Sequence, residues 1–475
     1  MRLNYGACRR LRTVLAVVCG ATALFAQSAS VPRAPTQVPS PFEGSVPASP
    51  VPGTLSISLQ DAINRGLRQN LGLLLSSEDV GSSRGERWIQ LSDLLPHASA
   101  APYVDASKTN LKEVGFSFNF PGVNLPSAVG PFSYFDARVA VSQSLFDWKA
   151  INEARSASQS LRSAEYTYRD ARDLVVLAVG FTYLQAIADE ARIDTADAQV
   201  KTAQALHDQA SDQVKAGVSA AIDAVRTKVE LQTREQQLIQ ARNDFAIQKL
   251  KLARVIGLAP GQEFTLTDKS PYQPFEAMSV DEALNRAYAS RPDYEAALAA
   301  VRAAEFSRKA AVAGYFPSLS FNGDYGAGGA HPSTATEVFD VRGTLNIPLF
   351  QGGKVHGEVL QADARARQSR ERLENLRGQI DSDVRTALLN LQSSAEQVAV
   401  ARSNIDLAEE TLAQSRDRFN AGVTDAVEVV QSQELTASAH ERYISSLYNY
   451  NYAKISLARA LGTAEEGVKQ YFKGN

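Results

Sequence analysis

Cysteine is almost absent from this chain, which has only Cys8 and Cys19 among 475 residues. Both lie near the start, where a basic segment (9–12) is followed by an apolar stretch (14–25) and then by small residues. This order is typical of a secretory signal peptide, so we expect residues 1–28 to be removed. The mature chain then has no thiol, which excludes disulfides, thiolate metal sites and a cysteine nucleophile. The alternative in which Cys19 becomes a lipidated N-terminus stays open.

An excess of positive charge, metal-ligand spacings and long apolar runs are also missing. The 49 basic and 52 acidic residues give a formal charge of −3 without a basic block, which disfavours nucleic acid as a partner. Mean hydropathy is −0.21, and we expect no apolar run after residue 30 to approach the roughly 18 to 20 residues of a membrane helix. The histidines show no paired-ligand spacing, and no nucleophile–base constellation is present. We therefore expect no metal, no cofactor and no enzymatic activity.

Proline is unevenly distributed. Seven of the 19 prolines lie in residues 29–53, which we expect to form an extended or disordered leader outside the core. Residues 149–259 and 349–475 contain none. Because an interior proline costs a helix about 3 kcal/mol, these two regions suit long helices.

The chain contains an internal repeat. The segment 58–65 matches 279–286, 221 positions later, and both begin with the Ser-x-x-acid pattern of a helix capping box. Further along, 135–138 matches 339–342 at an offset of 204, so the first copy carries 17 extra residues before Phe135, in a region we take as an exposed loop. Matches at an offset of 205 join 215–218 to 420–423 and 252–257 to 457–462.

Each copy contains segments in which apolar and polar residues alternate. In the first, Asp136 and Arg138 alternate with apolar neighbours, and in the second Asp340 and Arg342 do the same. Alternation over about ten residues is typical of transmembrane β-strands, although a half-buried soluble strand has the same period. We expect these four residues to face a lumen or to pair across strands, and their duplication favours a structural role.

The proline-free regions show the three–four spacing of a coiled-coil seam. The first copy follows it loosely over 193–217, where His207 is interpreted as a tolerated seam residue and not a ligand. In the second copy the predicted seam runs through Leu388, Leu391, Ala395, Val398, Arg402, Ile405, Ala408, Leu412, Ser415, Phe419 and Gly422.

The segment lengths predict how these elements combine. From Phe146 to Gly217 a helix would span about 105 Å, and the return to Gly257 about 60 Å. The helix before the strands, about 40 Å long, fills the difference. Each copy therefore predicts a β-hairpin, a long helix, a tight turn and a return helix. Four strands cannot close around a channel, and open edges are not tolerated in lipid, whereas three chains would supply twelve strands.

The duplication, the Leu-Phe strand ends (145–146 and 349–350) and the Ala-Gly-Val turns resemble the TolC-like outer-membrane efflux proteins over roughly 55 to 465. The resemblance implies a mainly α fold with membrane β-strands. A homotrimer would form a 12-stranded outer-membrane β-barrel, with four strands per chain, continuous with a long periplasmic α-helical coiled-coil barrel. It further implies a passive exit duct for efflux or type I secretion, in contact with outer-membrane lipid, periplasmic adaptor and inner-membrane transporter. The alternative is a secreted periplasmic coiled-coil scaffold or adaptor.

The repeats and the resemblance together give expected boundaries. They are a signal peptide 1–28, a Pro-rich leader 29–53, a first repeat 54–258 (β-hairpin 96–146, helical hairpin 147–258), an equatorial linker 259–278, a second repeat 279–463 (β-hairpin 317–350, helical hairpin 351–463) and a C-terminal tail 464–475.

The resemblance also places a periplasmic aperture near the second helical turn. It assigns aperture acids to Asp223 and Glu428. The chain departs from the family at Phe419, where a tyrosine is expected, at Thr424, where an arginine is expected, and at Gln431, where a second acid is expected. We therefore expect a looser gate with Glu428 as its main charged element. The alternative is that both acids only favour a helix N-terminus.

The two turns are the remaining candidates. Gly217-Val218 and Gly422-Val423 look like the family's adaptor-contacting tips. Glycine also serves simply to end a helix in the left-handed conformation. An exposed apolar valine beside each turn has no evident packing reason, so both roles are compatible.

Overall fold

The structure, a computed structural model, describes most of the chain after the leader: residues 42, 44–111, 113, 115, 128–268, 272–275 and 278–471. The predicted signal peptide 1–28, with Cys8 and Cys19, lies outside the described residues, as do most of the Pro-rich leader and the end of the C-terminal tail.

In the first repeat, helices precede and follow the strands of the sheet along the chain. Its elements are β1 (Leu55–Ile57), α1 (Leu59–Gln69), α2 (Leu71–Ser92), β2 (His97–Ala100), β3 (Tyr103–Asn110), β4 (Ala128–Phe146), α3 (Trp148–Lys215) and α4 (Ala221–Val255).

The second repeat has the same order after a short strand. Its elements are β5 (Phe264–Leu266), α5 (Val280–Ser290), α6 (Pro292–Ala313), β6 (Ser318–Gly329), a 3₁₀ turn (Pro332–Thr334), β7 (Thr336–Asn346), α7 (Lys354–Asn420), α8 (Ala426–Ala460) and α9 (Ala464–Tyr471). Equivalent helices have nearly equal lengths: 11 and 11, 22 and 22, 68 and 67, and 35 and 35 residues.

The helix boundaries follow from capping chemistry. Ser58 and Asp61 form the predicted capping box before α1, and Ser279 accepts from the backbone N–H of Glu282 at the equivalent start of α5. Asp147 opens α3 by accepting hydrogen bonds from two backbone N–H groups. Pro292 stands in the first turn of α6, where its missing N–H costs nothing.

The long helices α3 and α7 extend from the sheet to the two turns and have different neighbours at each end. Near the sheet α3 packs against α2 and α6, and α7 packs against α6. Towards the turns α3 packs against α4 and α8, and α7 packs against α8. The neighbour order at the turn end is therefore α4–α3–α8–α7, which leaves α4 and α7 on the outside.

The seam of α7 differs from expectation by one residue at three positions. Ala387, Ser394 and Ala401 are buried there, where the spacing predicted Leu388, Ala395 and Arg402. The Arg402 side chain is 63% exposed, because a guanidinium is costly to bury without a partner. The predicted seam positions that recur every seven residues are buried: Leu391, Val398, Ile405, Leu412 and Phe419.

The sheet is antiparallel and has four strand positions. Strands β2 and β3 pair one after the other with β4, so they behave as one strand interrupted at residues 101–102. The order across the sheet is then β2/β3, β4, β6, β7. Strands β2/β3 and β7 each lack a partner on their outer side within the described residues.

The described end of the leader, residues 42 and 44–53, contributes to the core, contrary to expectation. Phe42 packs against the main apolar cluster, and Val46 and Ala48 donate backbone hydrogen bonds to Gln69 and Gly257. The prolines of this described end fit the role, because an extended segment needs no helical hydrogen bonds. Beyond it, β1 and β5 pair in parallel, which joins the start of the first repeat to the linker between repeats.

One apolar run was also missed. Within α3 an 18-residue window has a mean hydropathy of 1.4 and so meets the length and composition of a membrane helix. That window is 61% buried inside the protein, where Val175, Val179 and Tyr183 belong to the main apolar cluster. Its apolarity therefore matches a helix packed on several sides, which passes the same test.

Candidate functional site

One face of the sheet is apolar and exposed. Val139, Tyr325 and Phe339 are paired in register across three strands, and their exposed fractions are 52%, 60% and 72%. Val341 and Leu345 continue this face along β7 with 68% and 60% exposure. Exposed apolar patches of this size are rare on soluble monomers, so the face is suited to contact lipid or another apolar surface.

The opposite face carries a network of charged residues. Arg138 contacts Asp136 at 2.6 Å on its own strand and Asp324 of β6 at 3.0 Å. Tyr134 donates a hydrogen bond to Asp136 at 2.9 Å. Asp136 is only 5% exposed, so its carboxylate depends on these partners. Arg138 thus reaches across to β6, whereas Asp136 contacts partners on its own strand, and the sequence missed Asp324 and Tyr134.

Two glycines of β6 lie opposite the charged residues of this network. Gly328 lies opposite Asp136 in the register, and Gly326 lies opposite Arg138. A Cβ on Gly326 would stand 2.1 Å from the backbone oxygen of Ala137, so the two strands approach too closely for a side chain there. The glycine-rich sequence of β6 thus sets the approach of the strands that carry the charges.

The second copy of the motif is in a different environment. Asp340 and Arg342 lie on the outer strand β7, 3.5 Å apart, with side chains 49% and 69% exposed. They contact each other along the strand, whereas the first pair also reaches a neighbouring strand. The duplicated sequence therefore gives one buried network and one exposed pair.

A band of exposed apolar residues marks the junction between sheet and helices. Leu349 is 92% exposed and Phe350 is 89% exposed, just after β7. In the first repeat Phe146 stacks on Trp148 with ring centroids 6.4 Å apart, and Arg155 lies over the Trp148 ring. Aromatic residues at such a level are typical of a membrane–water interface.

The far ends of the long helices form two equivalent turns. Gly217 and Gly422 have φ of 72° and 69°, which lets the chain reverse without a Cβ clash. The N–H of Val218 donates to the carbonyl of Gln213, and the N–H of Val423 donates to that of Arg418, both at 2.9 Å. These bonds close Schellman-type caps.

Both turns expose an apolar side chain. Val218 is 73% exposed and Val423 is 69% exposed. Neither belongs to an apolar cluster of the described residues. The valines therefore remain accessible at the extreme ends of their hairpins.

The second turn also holds a small charged cluster. Arg418 Nη1 lies 3.0 Å from Glu428 Oε1, and Thr424 donates its hydroxyl to Glu428 Oε2 at 2.5 Å. Asp425 caps α8 through the N–H of Val427. The candidates Thr424 and Glu428 are thus brought together, and the sequence missed Arg418. Its signal was a basic residue in the last turn of one helix facing an acid in the first turn of the next.

The other two aperture candidates lie apart from this cluster. Asp223 sits in the first turn of α4, is 8% exposed, and has an ion-pair partner in Arg226 at 3.7 Å. No ion pair or hydrogen bond joins it to Glu428 among the described residues. Phe419 is 3% exposed and packs with Leu206 and Val429 in an apolar cluster between the hairpins. In this structure Phe419 therefore holds the hairpins together and does not face an opening.

His207 also has a structural environment. Its Nδ1 lies 3.2 Å from the Thr227 hydroxyl, so it connects α3 to α4 across the first hairpin. This contact agrees with the interpretation of His207 as a seam residue.

Buried charge is concentrated where α3, α8 and α9 meet. Arg459 contacts Asp170 at 2.5 Å, and the neighbouring Asp173 is 6% exposed with one carboxylate oxygen lacking a partner in the described chain. Burial raises the pKa of Asp173 to about 6, against the opposing effect of Arg459.

Comparison with known proteins identifies relatives of this chain. The family model described as "Outer membrane efflux protein" matches residues 128–258 and 283–463. The pyoverdine export outer membrane protein OpmQ of Pseudomonas putida is 24% identical over 339 residues, 69% of this chain and 70% of the relative. The alkaline protease secretion protein AprF of Pseudomonas aeruginosa is 23% identical over 359 residues, 72% of this chain and 73% of the relative.

A solved structure shares the fold. The Campylobacter jejuni CmeC outer membrane channel aligns with a TM-score of 0.73 and 17% identity, covering 87% of this chain and 88% of that chain. At this identity the likeness concerns the fold alone.

Proposed function

The chain belongs to the outer membrane efflux protein family, and from this premise we propose that three copies of it form one exit duct. The protein is an outer-membrane channel for efflux or secretion, and it extends into the periplasm. The alternative of a periplasmic scaffold is not supported, because the family match includes strands and helices of both repeats.

The sheet is the observation that carries the trimer. Its two outer strand positions, β2/β3 and β7, have no outer partner in the described residues, while one face is apolar and the other charged. An unpaired strand edge in lipid costs several kcal/mol per backbone group. We infer that β7 of each copy pairs with β2/β3 of the next, which closes twelve strands with the apolar face outward.

The outer helices support the same closure. Helix α4 exposes Val225, Val229 and Ile239, and helix α7 exposes Leu389, Val400 and Leu407, each to more than half. Both helices lie at the outside of the order α4–α3–α8–α7. A contact between α4 of one copy and α7 of the next would bury these stripes and complete a helical barrel.

The charged cluster at the second turn is our proposed aperture. Three copies would bring three Glu428 carboxylates, each held by Arg418 and Thr424 of its own chain, to the periplasmic end of the duct. The acids of Asp223 would lie near the equivalent turn of the first repeat. Because the partners of Glu428 lie within one hairpin, we expect the copies to be tied together weakly at this end.

The exposed valines are our proposed docking contacts. Val218 and Val423 stand at the tips furthest from the sheet, where a periplasmic adaptor linked to an inner-membrane transporter would meet the duct. An apolar contact at the centre of such an interface fits what small docking surfaces require.

Electron microscopy of the detergent-solubilised particle tests the proposal. We expect a three-fold hollow cylinder well over 100 Å long, because the 68 residues of α3 alone span about 100 Å. A compact or unsymmetric particle would contradict the trimeric duct. Membrane fractionation supplies the second arm, since the protein should sediment with the outer membrane.

A further inference from the structure

A cavity of about 340 Å³ lies between the two helical hairpins of a single chain. Its walls come from all four helices at the turn end: Ala198 and Thr202 of α3, Arg234 of α4, Leu412 of α7, and Gln433 of α8. A cavity of this size is at the lower end of the range of small-molecule sites. It lies within one chain, and the inner helices α3 and α8 supply most of its lining residues.

Gln433 is the distinctive group of this cavity. The residue is 6% exposed, yet neither its amide oxygen nor its amide nitrogen has a hydrogen-bond partner in the described residues. A buried polar group without a partner is costly, and natural proteins rarely retain one without a bound molecule to satisfy it. Both amide atoms are enclosed in the wall, so Gln433 offers its donor and its acceptor to a ligand when its side chain turns into the cavity.

The cation in the wall is already saturated. Arg234 contacts Glu230 at 2.6 Å and Glu434 at 2.5 Å, and donates to Gln237 at 2.9 Å. Two carboxylates surround this single guanidinium, and Asp194 lies at the cavity wall as well. The local charge is therefore negative, which disfavours an anionic ligand.

The rest of the wall can accept an apolar body. Leu412 and Ala198 present methyl groups, and the Thr436 hydroxyl is already used by backbone carbonyls of Ala408 and Ser432. We propose that this cavity binds a small uncharged amphiphile that carries a planar carboxamide. The ligand's N–H would donate to Gln433 Oε1 and its carbonyl would accept from Gln433 Nε2, while its apolar part packs against Leu412.

Three probes of nearly one shape test the proposal: benzamide, benzamidinium and benzoate. Benzamide can satisfy both amide atoms of Gln433, benzamidinium only the oxygen, and benzoate only the nitrogen. Binding is measured by calorimetry or ligand-observed NMR on the full-length assembly in nanodiscs. We expect benzamide to bind at least about tenfold more tightly than benzoate, with benzamidinium between them. Benzamide makes both hydrogen bonds to Gln433, and the negative local charge favours benzamidinium over benzoate.

Variants at Gln433 provide the decisive comparison. Gln433→Leu should abolish the preference for benzamide, and Gln433→Glu should reverse it in favour of benzamidinium. Ala198→Phe, which fills the cavity and leaves Gln433 in place, should abolish binding of all three probes even if the Gln433 variants fold poorly. Gel filtration reports assembly for each variant.

Two results would overturn the proposal. If none of the probes binds the wild-type assembly, the cavity holds only water, which also satisfies buried polar groups. If the probes bind with equal affinity, or if Gln433→Glu keeps the order unchanged, Gln433 does not recognise the ligand. The inference does not depend on the exit-duct function, because binding is measured directly and without transport.

Discussion

The Arg418 guanidinium lies 3.0 Å from the Glu428 carboxylate, so the last turn of α7 and the first turn of α8 are connected across the second hairpin turn. Thr424 occupies the other carboxylate oxygen. In place of the arginine expected two residues after Gly422, this chain uses one four residues before it. Glu428 thus has its counter-charge in its own hairpin.

Replacing Glu428 by Gln should shift the channel's cation preference towards neutrality. Three copies would each lose one negative charge at the aperture, and an exposed charge a few ångströms from a passing ion is worth about 1 kcal/mol in water. We therefore expect the cation-to-anion permeability ratio in planar bilayers to fall by about twofold to fivefold. An unchanged ratio would remove the support for an acidic ring at this turn.

Replacing Arg418 by Gln should have the opposite effect. The carboxylate of Glu428 would keep its charge but lose its neutralising partner, so the permeability ratio should rise by about twofold. Single-channel recordings at low salt measure it best, because screening weakens at low ionic strength. Arg416→Gln, on the same helix and with no ion pair among the described residues, serves as the charge-matched control. If both variants raised the permeability ratio equally, the change in net charge alone would explain the effect, without a specific role for the Arg418–Glu428 pair.

A charge at the first hairpin tip should prevent export without affecting assembly. Val218 is 73% exposed and makes no cluster contact in the described structure, so Val218→Asp should leave trimer abundance unchanged. Desolvating an aspartate in an apolar docking contact costs several kcal/mol, so export should fall at least about tenfold. Val218→Thr, similar in shape and uncharged, is the control. A lower trimer level would indicate a folding role for the tip.

The two copies of the Asp-x-Arg motif should respond differently to the same substitution. Arg138→Ala leaves the buried Asp136 without its closest cation, so we expect a loss of about 1 to 3 kcal/mol and a lower unfolding temperature of the assembly in nanodiscs. Arg342→Ala removes a pair that is mostly exposed and should cost less than about 1 kcal/mol. Equal losses would mean that Arg342 gains a partner from the neighbouring copy.

Much of the fold was predictable because it depends on local patterns. The repeat, the absence of proline and the position of each Ala-Gly-Val turn identify the helical hairpins, and alternation identifies the strands. These signals record backbone requirements that act over a few residues. The sequence did not predict the packing of the segment around Phe42 or the parallel pairing of β1 with β5. Short segments that pair with distant parts of the chain show no hydrophobic periodicity.

The candidate site was less predictable for a related reason. Glu428 and Thr424 were found by their distance from Gly422, and they do lie together. Arg418 was missed because basic residues are common on exposed helical faces, and only the geometry of the turn selects this one. Phe419 was placed at the aperture by position, whereas its apolar side chain is buried in the cluster with Leu206.

Burial of Asp173 predicts a specific dependence of stability on pH. Its pKa is raised from 3.8 in the unfolded chain to about 6 in the folded protein. Between about pH 4 and pH 6, Asp173 is therefore mostly protonated in the folded protein and mostly ionised in the unfolded chain. This group therefore stabilises the fold as the pH falls from 7.5 towards 4, and its ionisation destabilises it at pH 7.5. Asp173→Asn should raise the free energy of unfolding at pH 7.5 by about 1 to 3 kcal/mol and remove that part of the pH dependence. Thermal unfolding at pH 7.5 and pH 5 measures both effects, with the exposed Asp212→Asn as control; parallel pH profiles of wild type and Asp173→Asn would contradict the assignment.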